Sequence, residues 1–204
     1  MLFEDQYQTV DQVYEGTFRD KGSKFIAYLC PTKNESELKN YLAQYKAEHP
    51  KARHHCWAWR PDTNRNHFKL SDDGEPAGTA GRPILNTLLS HNLSKVAVIV
   101  VRYFGGTLLG VPGLINAYKM ATQEAVLAAN IITKTIKDVY ELQFEYLQLN
   151  EVMRLIKEEQ LHICEQNFDN LCLIKLEIDQ SKVNLLSSKL DKIEKLSYKY
   201  LHTI

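Results

Sequence analysis

Residues 71–130 read SDDGEPAGTAGRPILNTLLSHNLSKVAVIVVRYFGGTLLGVPGLINAYKMATQEAVLAAN. At the centre of this stretch Lys95–Tyr103 (KVAVIVVRY) is a continuous β-branched run. That pattern predicts a central strand buried on both faces. A glycine-bearing loop and a helical pattern lie on each side of it. Upstream, Gly74, Gly78 and Gly81 lead into a helix expected over Ala80–Leu89, with Thr79 as its cap and Pro83 tolerated in the first turn. Downstream, the loop Phe104–Gly113 leads into a helix expected over Leu114–Asn130, whose Ala117, Ala121, Ala125 and Ala128 give a small-residue face. Seven of the nine glycines fall in this stretch. Glycine suits positions that need φ > 0 or close approach by another group. Both loops end at helix starts, which carry unpaired N–H groups and partial positive charge.

Working outward toward the N-terminus, His67–Leu70 reads as a short strand, reached through a turn from Arg53–Arg60 (RHHCWAWR). Alternation puts His54, Cys56, Ala58 and Arg60 on one face of that longer strand and His55, Trp57 and Trp59 on the other. A helix from Asn34 or Ser36 to His49 is bounded by Pro31 and Pro50. Val13–Phe18 and Ser23–Cys30 form a hairpin about Asp20-Lys21-Gly22, and residues 1–12 read as a loose lead-in. Toward the C-terminus the order is clean. Strands are expected over Ile136–Phe144, Leu161–Gln166, Leu171–Ile178 and Lys195–Leu201, with helices over Leu147–Glu158 and Lys182–Leu190 and a turn at Asp169-Asn170. This is β-α-β-β-α-β, the ferredoxin-like split unit. The expected class is α+β in two domains, residues 1–135 and 136–204.

Lys+Arg and Asp+Glu both number 25 in 204 residues, which weakens any claim of bulk electrostatic attraction to nucleic acid, so local patches must carry any such role. The halves differ slightly: residues 1–135 carry 16 Lys/Arg against 13 Asp/Glu, and residues 136–204 carry 9 against 12. Cys30, Cys56, Cys164 and Cys172 form no CxxC and read as buried free thiols. With no signal peptide in view, a reducing cytoplasm is expected. The apolar run Val96–Val101 is too short to span a membrane.

The candidate binding residues are Asp72, Asp73, Glu75, Thr79, Arg82, Arg102, Tyr103, Gly105, Gly106 and Lys119. Clustered carboxylates at 72–75 suit a divalent metal or acid–base work, or simply an Asp-Gly turn bonded to its own backbone. The 105–113 loop has the strand-to-helix context of anion binding but is neither a Walker loop nor GxGxxG. Arg102, at the end of the central strand, suits a phosphate or carboxylate, or an internal salt bridge to Asp72, Asp73 or Glu75. His54, Cys56 and His67 lack zinc-site spacing, and Cys56 lacks an orienting partner for nucleophilic work. No metal or cofactor is expected.

The strings HHCWAW (54–59), SDDGEPAGTAGRPIL (71–85) and VVRYFGGTLLG (100–110), in this order and spacing, resemble the IMPACT family in its YigZ-like bacterial form. The resemblance implies a first domain similar to domain IV of elongation factor EF-G and to a small-subunit ribosomal protein, with a left-handed β-α-β crossover. It implies a second domain similar to EF-G domain V. Eukaryotic members act in translational control through the general-control kinase pathway by protein–protein binding, and bacterial members are associated with nucleic acid or ribosomes. The implied role is a non-enzymatic, translation-associated regulatory or binding protein, contacting RNA, the ribosome or a ribosome-associated protein. The alternative is an enzyme acting on a phosphorylated small molecule or nucleotide through the acidic turn and glycine loop. Two positions depart from the family pattern. Pro112 stands where glycine is common and Asn116 where arginine is common, which weakens phosphate contact there; Lys119 lies one turn further on.

Overall fold

The β-branched run becomes the middle strand of a five-stranded sheet in the computed structural model, which describes residues 5–169 and 171–204. Residues 1–4 of the expected lead-in and Asn170 of the expected turn lie outside the described residues. The chain mixes strands and helices as an α+β protein and divides into two units, one of Tyr7–Lys134 and one of Thr135–Ile204 joined by Asp5 and Gln6, which the sequence places in the first domain. Among the described residues no helix is long and apolar enough to cross a membrane.

The first unit runs β1 (Gln6–Val10), β2 (Tyr14–Asp20), β3 (Ser23–Pro31), α1 (Glu35–Glu48), β4 (His54–Arg60), β5 (Lys69–Ser71), α2 (Gly81–Ser90), β6 (Val96–Tyr103), α3 (Gly110–Ala128) and β7 (Ile131–Thr135). Its main sheet has the order β2-β3-β6-β4-β5, and every neighbouring pair is antiparallel. Alternation splits β6 between two cores. Val96, Val98 and Val100 pack toward α2 and α3, whereas Ile99 and Val101 join the cluster with Tyr45 of α1. Helices on both faces therefore bury a strand of an antiparallel sheet, which is why it has no polar alternation.

Local chemistry sets the helix ends. Asn34 caps α1 by accepting from Glu37 N (2.9 Å), and Glu37 accepts from Lys33 N (2.7 Å), one residue before the cap. The α3 helix begins four residues earlier than expected. Gly110 turns the chain with φ +69°, and Pro112 sits in the first turn, where a missing N–H costs nothing. Ala117, Ala121 and Ala125 are buried, while Ala128 is exposed. Gly16 of β2 shows why small residues are needed there: a Cβ at Gly16 would lie 2.1 Å from Ala125 N. Two strands differ from expectation. Residues 6–10 of the expected loose lead-in form β1, which pairs with β7, formed by a β-branched segment just after α3.

The second unit runs β8 (Lys137–Phe144), a 3₁₀ turn at Tyr146–Gln148, α4 (Leu149–Glu158), β9 (His162–Phe168), β10 (Cys172–Asp179), α5 (Val183–Leu190) and β11 (Ser197–Thr203). The order read from the sequence is the observed one. Its sheet is β11-β8-β10-β9, antiparallel throughout. Ile174, Leu176 and Ile178 face a core with Val152, Leu155, Leu186 and Leu190 of the helices. On the other face Lys199, Glu141, Lys175 and Glu165 stand in register across all four strands. Lys199–Glu141 (2.8 Å) and Lys175–Glu165 (2.6 Å) are ion pairs, and Lys137–Glu177 (3.0 Å) adds a third. Cys30, Cys56 and Cys172 are buried free thiols, but Cys164 is exposed, contrary to expectation, because it sits on the edge strand β9.

Candidate functional site

The acidic turn is built by Asp72. Its carboxylate accepts from the backbone N–H of Gly78 (2.9 Å), Ala80 (3.0 Å) and Gly81 (2.8 Å), so it closes the turn and caps α2. The expected cap, Thr79, donates its hydroxyl to Pro76 O instead (2.7 Å). Burial pushes the Asp72 carboxyl up, but the three N–H donors outweigh it and hold its pKa below the ordinary aspartate value. Asp73 (φ +41°) accepts from His55 N (2.7 Å), and its carbonyl meets His54 Nδ1 (2.8 Å). These bonds occupy the carboxylates that a metal would need. Among the described residues no group of three or more His, Cys, Asp or Glu is gathered as a metal site. His67 lies apart, on Asp62 (2.5 Å).

The same turn aims Glu75 inward, where it is 9% exposed. Its Oε1 accepts from Arg102 Nη1 (2.5 Å) and from the Tyr118 hydroxyl (2.8 Å), with His54 Nε2 4.0 Å away. Arg102 is 5% exposed, and its guanidinium lies 5.4 Å from the Phe25 ring centre and 5.6 Å from that of Phe104. Of the two roles open to Arg102, the internal salt bridge is formed, to Glu75. Cys56 Sγ lies 3.0 Å from Asp72 O and 3.2 Å from the Tyr118 hydroxyl. Burial pushes both the Cys56 thiol and the Tyr118 phenol far up. Cys56 is therefore held as a thiol, which is no nucleophile.

A cleft of about 360 Å³ opens beside this network, between the acidic turn and the start of α3. Arg53, His54, Glu75, Arg102 and Phe104 line it together with Leu109–Val111. A second groove of about 420 Å³ lies between α2 and α3, lined by Arg82, Asn86, Thr87, Ser90 and Lys119. Arg82 stacks over Phe68 at 5.4 Å. Arg53, Arg82 and Lys119 form no ion pair with a carboxylate among the described residues.

The structure thus gathers Asp72, Asp73, Glu75, Thr79 and Arg102 at the turn and cleft, and puts Arg82 and Lys119 in the neighbouring groove. It does not bring Tyr103 to either. Tyr103 projects from the opposite face of β6, where its hydroxyl meets His49 Nδ1 (2.9 Å). Gly105 serves packing: a Cβ there would lie 1.9 Å from Gly22 C, and its N–H donates to Ser23 Oγ (3.1 Å). Gly106 (φ +87°) shapes the same loop. Sequence reasoning missed Arg53, Phe104 and Tyr118. Tyr118 had a signal, its i+4 spacing from the apolar Leu114 on one helix face.

Both the cleft and the groove fall within residues 21–126, which match the family model for the Impact N-terminal domain. The chain belongs to the IMPACT family. It is 39% identical over 173 residues to an IMPACT family member of Haemophilus influenzae, covering 83% of this chain and 84% of that protein. It is 38% identical over 173 residues, with the same coverage, to IMPACT family member YigZ of Escherichia coli (strain K12). A crystal structure of a protein described as hypothetical matches 98% of this chain and 99% of its own, with a TM-score of 0.77 at 31% identity.

Proposed function

We propose that this chain is a non-enzymatic, translation-associated binding protein that contacts RNA of the ribosome through the α2/α3 groove of its first unit. One observation carries this. The acidic side chains of the neighbouring turn are engaged, Asp72 with three backbone donors and Glu75 with Arg102 and Tyr118, while the cations Arg82 and Lys119 have no carboxylate partner among the described residues and share one groove. Free cations with hydroxyl and amide neighbours suit phosphate–sugar backbone. Residues 1–135 and 136–204 then act as two domains, resembling EF-G domains IV and V. The β-α-β-β-α-β order of the second supports that analogy. The buried free thiols agree with work in the cytoplasm.

The test is co-sedimentation with ribosomes through a gradient, repeated at rising salt, together with RNA retention on filters. Association at low salt that fades with salt is expected. Arg82→Glu with Lys119→Glu, both exposed positions, should weaken it about tenfold or more. No association at low salt and no RNA retention would remove the reading. The enzyme alternative requires a free acid or nucleophile, and Asp72, Glu75 and Cys56 are each engaged. A thermal-shift panel of nucleotides with and without magnesium should accordingly be flat.

A further inference from the structure

The cleft beside Glu75 plays no part in that RNA contact, and its own chemistry selects a different ligand. Arg102 spends Nη1 on Glu75. Its Nε is buried without any hydrogen-bond partner. Nη2 has none among the described residues either and is not one of the sealed atoms, and Arg102 lines the cleft. Nη2–H is therefore the donor that Arg102 keeps for a ligand, and a charge-assisted bond from it suits a carboxylate. A buried donor left unpaired is costly, and such groups call for a partner.

Two further features point into the same space. The 19-residue helix α3 starts there with no side-chain cap, and the N–H groups of Gly110 and Val111 have no hydrogen-bond partner among the described residues. Arg53 lies on Phe104 (6.0 Å), also at the cleft and without a carboxylate partner. Arg53 and Arg102 against Glu75 leave one net positive charge. Beyond these groups and His54 the walls are apolar: Pro76, Leu108, Leu109, Val111 and Leu114. Mostly apolar walls with a few convergent polar groups are the make-up of a small-ligand site. A phosphate dianion fits poorly, because the Glu75 carboxylate stands in the wall and the apolar residues offer it no donors.

We infer that this cleft binds a carboxylate carried on a branched apolar body, held by Arg102 Nη2, Arg53 and the first N–H groups of α3. The body rests on Leu109, Val111 and Leu114. Two sources share this chemistry, a free small acid and the C-terminal residue of a peptide.

The experiment titrates the ¹⁵N-labelled full chain with 4-methylpentanoate and follows the Gly110 and Val111 amides by NMR. Saturable shifts at these two are expected, with 4-methylpentanamide, the same shape without the charge, about tenfold weaker or more. Arg102→Lys keeps a cation for Glu75 and removes the second nitrogen, so it should abolish the shifts. If that variant does not fold, Val111→Glu decides, since Val111 is 52% exposed and the new carboxylate would occupy the helix start. An N-acetyl dipeptide ending in leucine carboxylate separates the sources. Tighter binding than 4-methylpentanoate assigns a chain terminus, and weaker binding assigns a free acid. The proposal fails if 4-methylpentanoate gives no saturable shift, if the amide binds equally, if Val111→Glu changes nothing, or if inorganic phosphate gives the same shifts at lower concentration.

Discussion

On the open face of the second unit's sheet, Lys199, Glu141, Lys175 and Glu165 alternate in sign across four strands, and every one has a partner. In the first unit the Glu75–Arg102 pair is buried, while Arg53, Arg82 and Lys119 have no carboxylate partner among the described residues. The contrast separates two uses of charge. A solvated row of pairs contributes little to stability, but it leaves no free cation to attract an anion and discourages pairing at the sheet's edges. A buried pair must overcome desolvation and is a poor route to stability. The first unit therefore carries electrostatics that folding alone does not explain, and that is where binding chemistry belongs.

The comparison breaks or holds on Glu75. Glu75→Gln leaves Arg102 charged, buried and unpaired, and should cost the first unit about 3–5 kcal/mol. Both tryptophans, Trp57 and Trp59, lie on β4, so urea unfolding followed by tryptophan fluorescence reports that unit. Glu141→Gln, at an ion pair in the second unit, should leave the urea transition of that unit, followed by circular dichroism, unshifted. Equal shifts of the two transitions would mean that burial makes no difference.

Gly105→Ala comes next. The new methyl would fall within bonding distance of Gly22 C (1.9 Å) and Ser23 N (2.2 Å), so the β2–β3 turn and the loop after β6 must separate. A loss of roughly 1–3 kcal/mol is expected, read from the same transition. An unchanged midpoint would show that the loop relaxes freely and that the cleft wall is not fixed by it.

How far the sequence reveals all this depends on the range of the interaction. The strand β6 was legible because its β-branched run needs no partner to be recognised, and the β-α-β-β-α-β order because alternation and helical period switch cleanly. The α2 cap was not. Asp72 reaches Ala80 and Gly81 from eight and nine residues upstream, outside any local capping pattern. Pro112 was legible as a rigid residue but was misplaced in the loop, though a first helical turn accepts it equally well. Strand β1 is recognisable only through β7, more than a hundred residues away. At the site, Arg102 and Glu75 were legible as types, but their pairing required the fold. Tyr103 lies apart from the cleft, and strand alternation alone already puts it opposite Arg102.

Asp72→Asn tests the long-range cap. It weakens the acceptor for three N–H groups and should cost about 1–2 kcal/mol. The pH dependence has a definite sign. The folded pKa of Asp72 lies below its unfolded value, so its contribution is complete above the ordinary aspartate range and is lost as pH falls through the lower folded value. The wild-type transition should weaken with acid more steeply than that of Asp72→Asn. Parallel curves would show that the three bonds do not discriminate charge.

The smallest effect is expected at Lys175, in the row of the second unit. Lys175 stands between Glu141 and Glu165, bonded to the latter at 2.6 Å. Lys175→Met removes a cation from between two carboxylates, but all three groups meet water, which screens the change. Circular dichroism in urea should show no shift at 0.15 M salt, and RNA retention should match wild type, because that lysine is already neutralised by its neighbours. Lys119→Met removes one cation of the same kind from the α2/α3 groove, where nothing neutralises it. It should lower the salt slope of RNA retention by about 0.7 for a single strand. If the two substitutions changed the slope alike, partnered and unpartnered lysines would be equivalent, and the division between the units would lose its meaning.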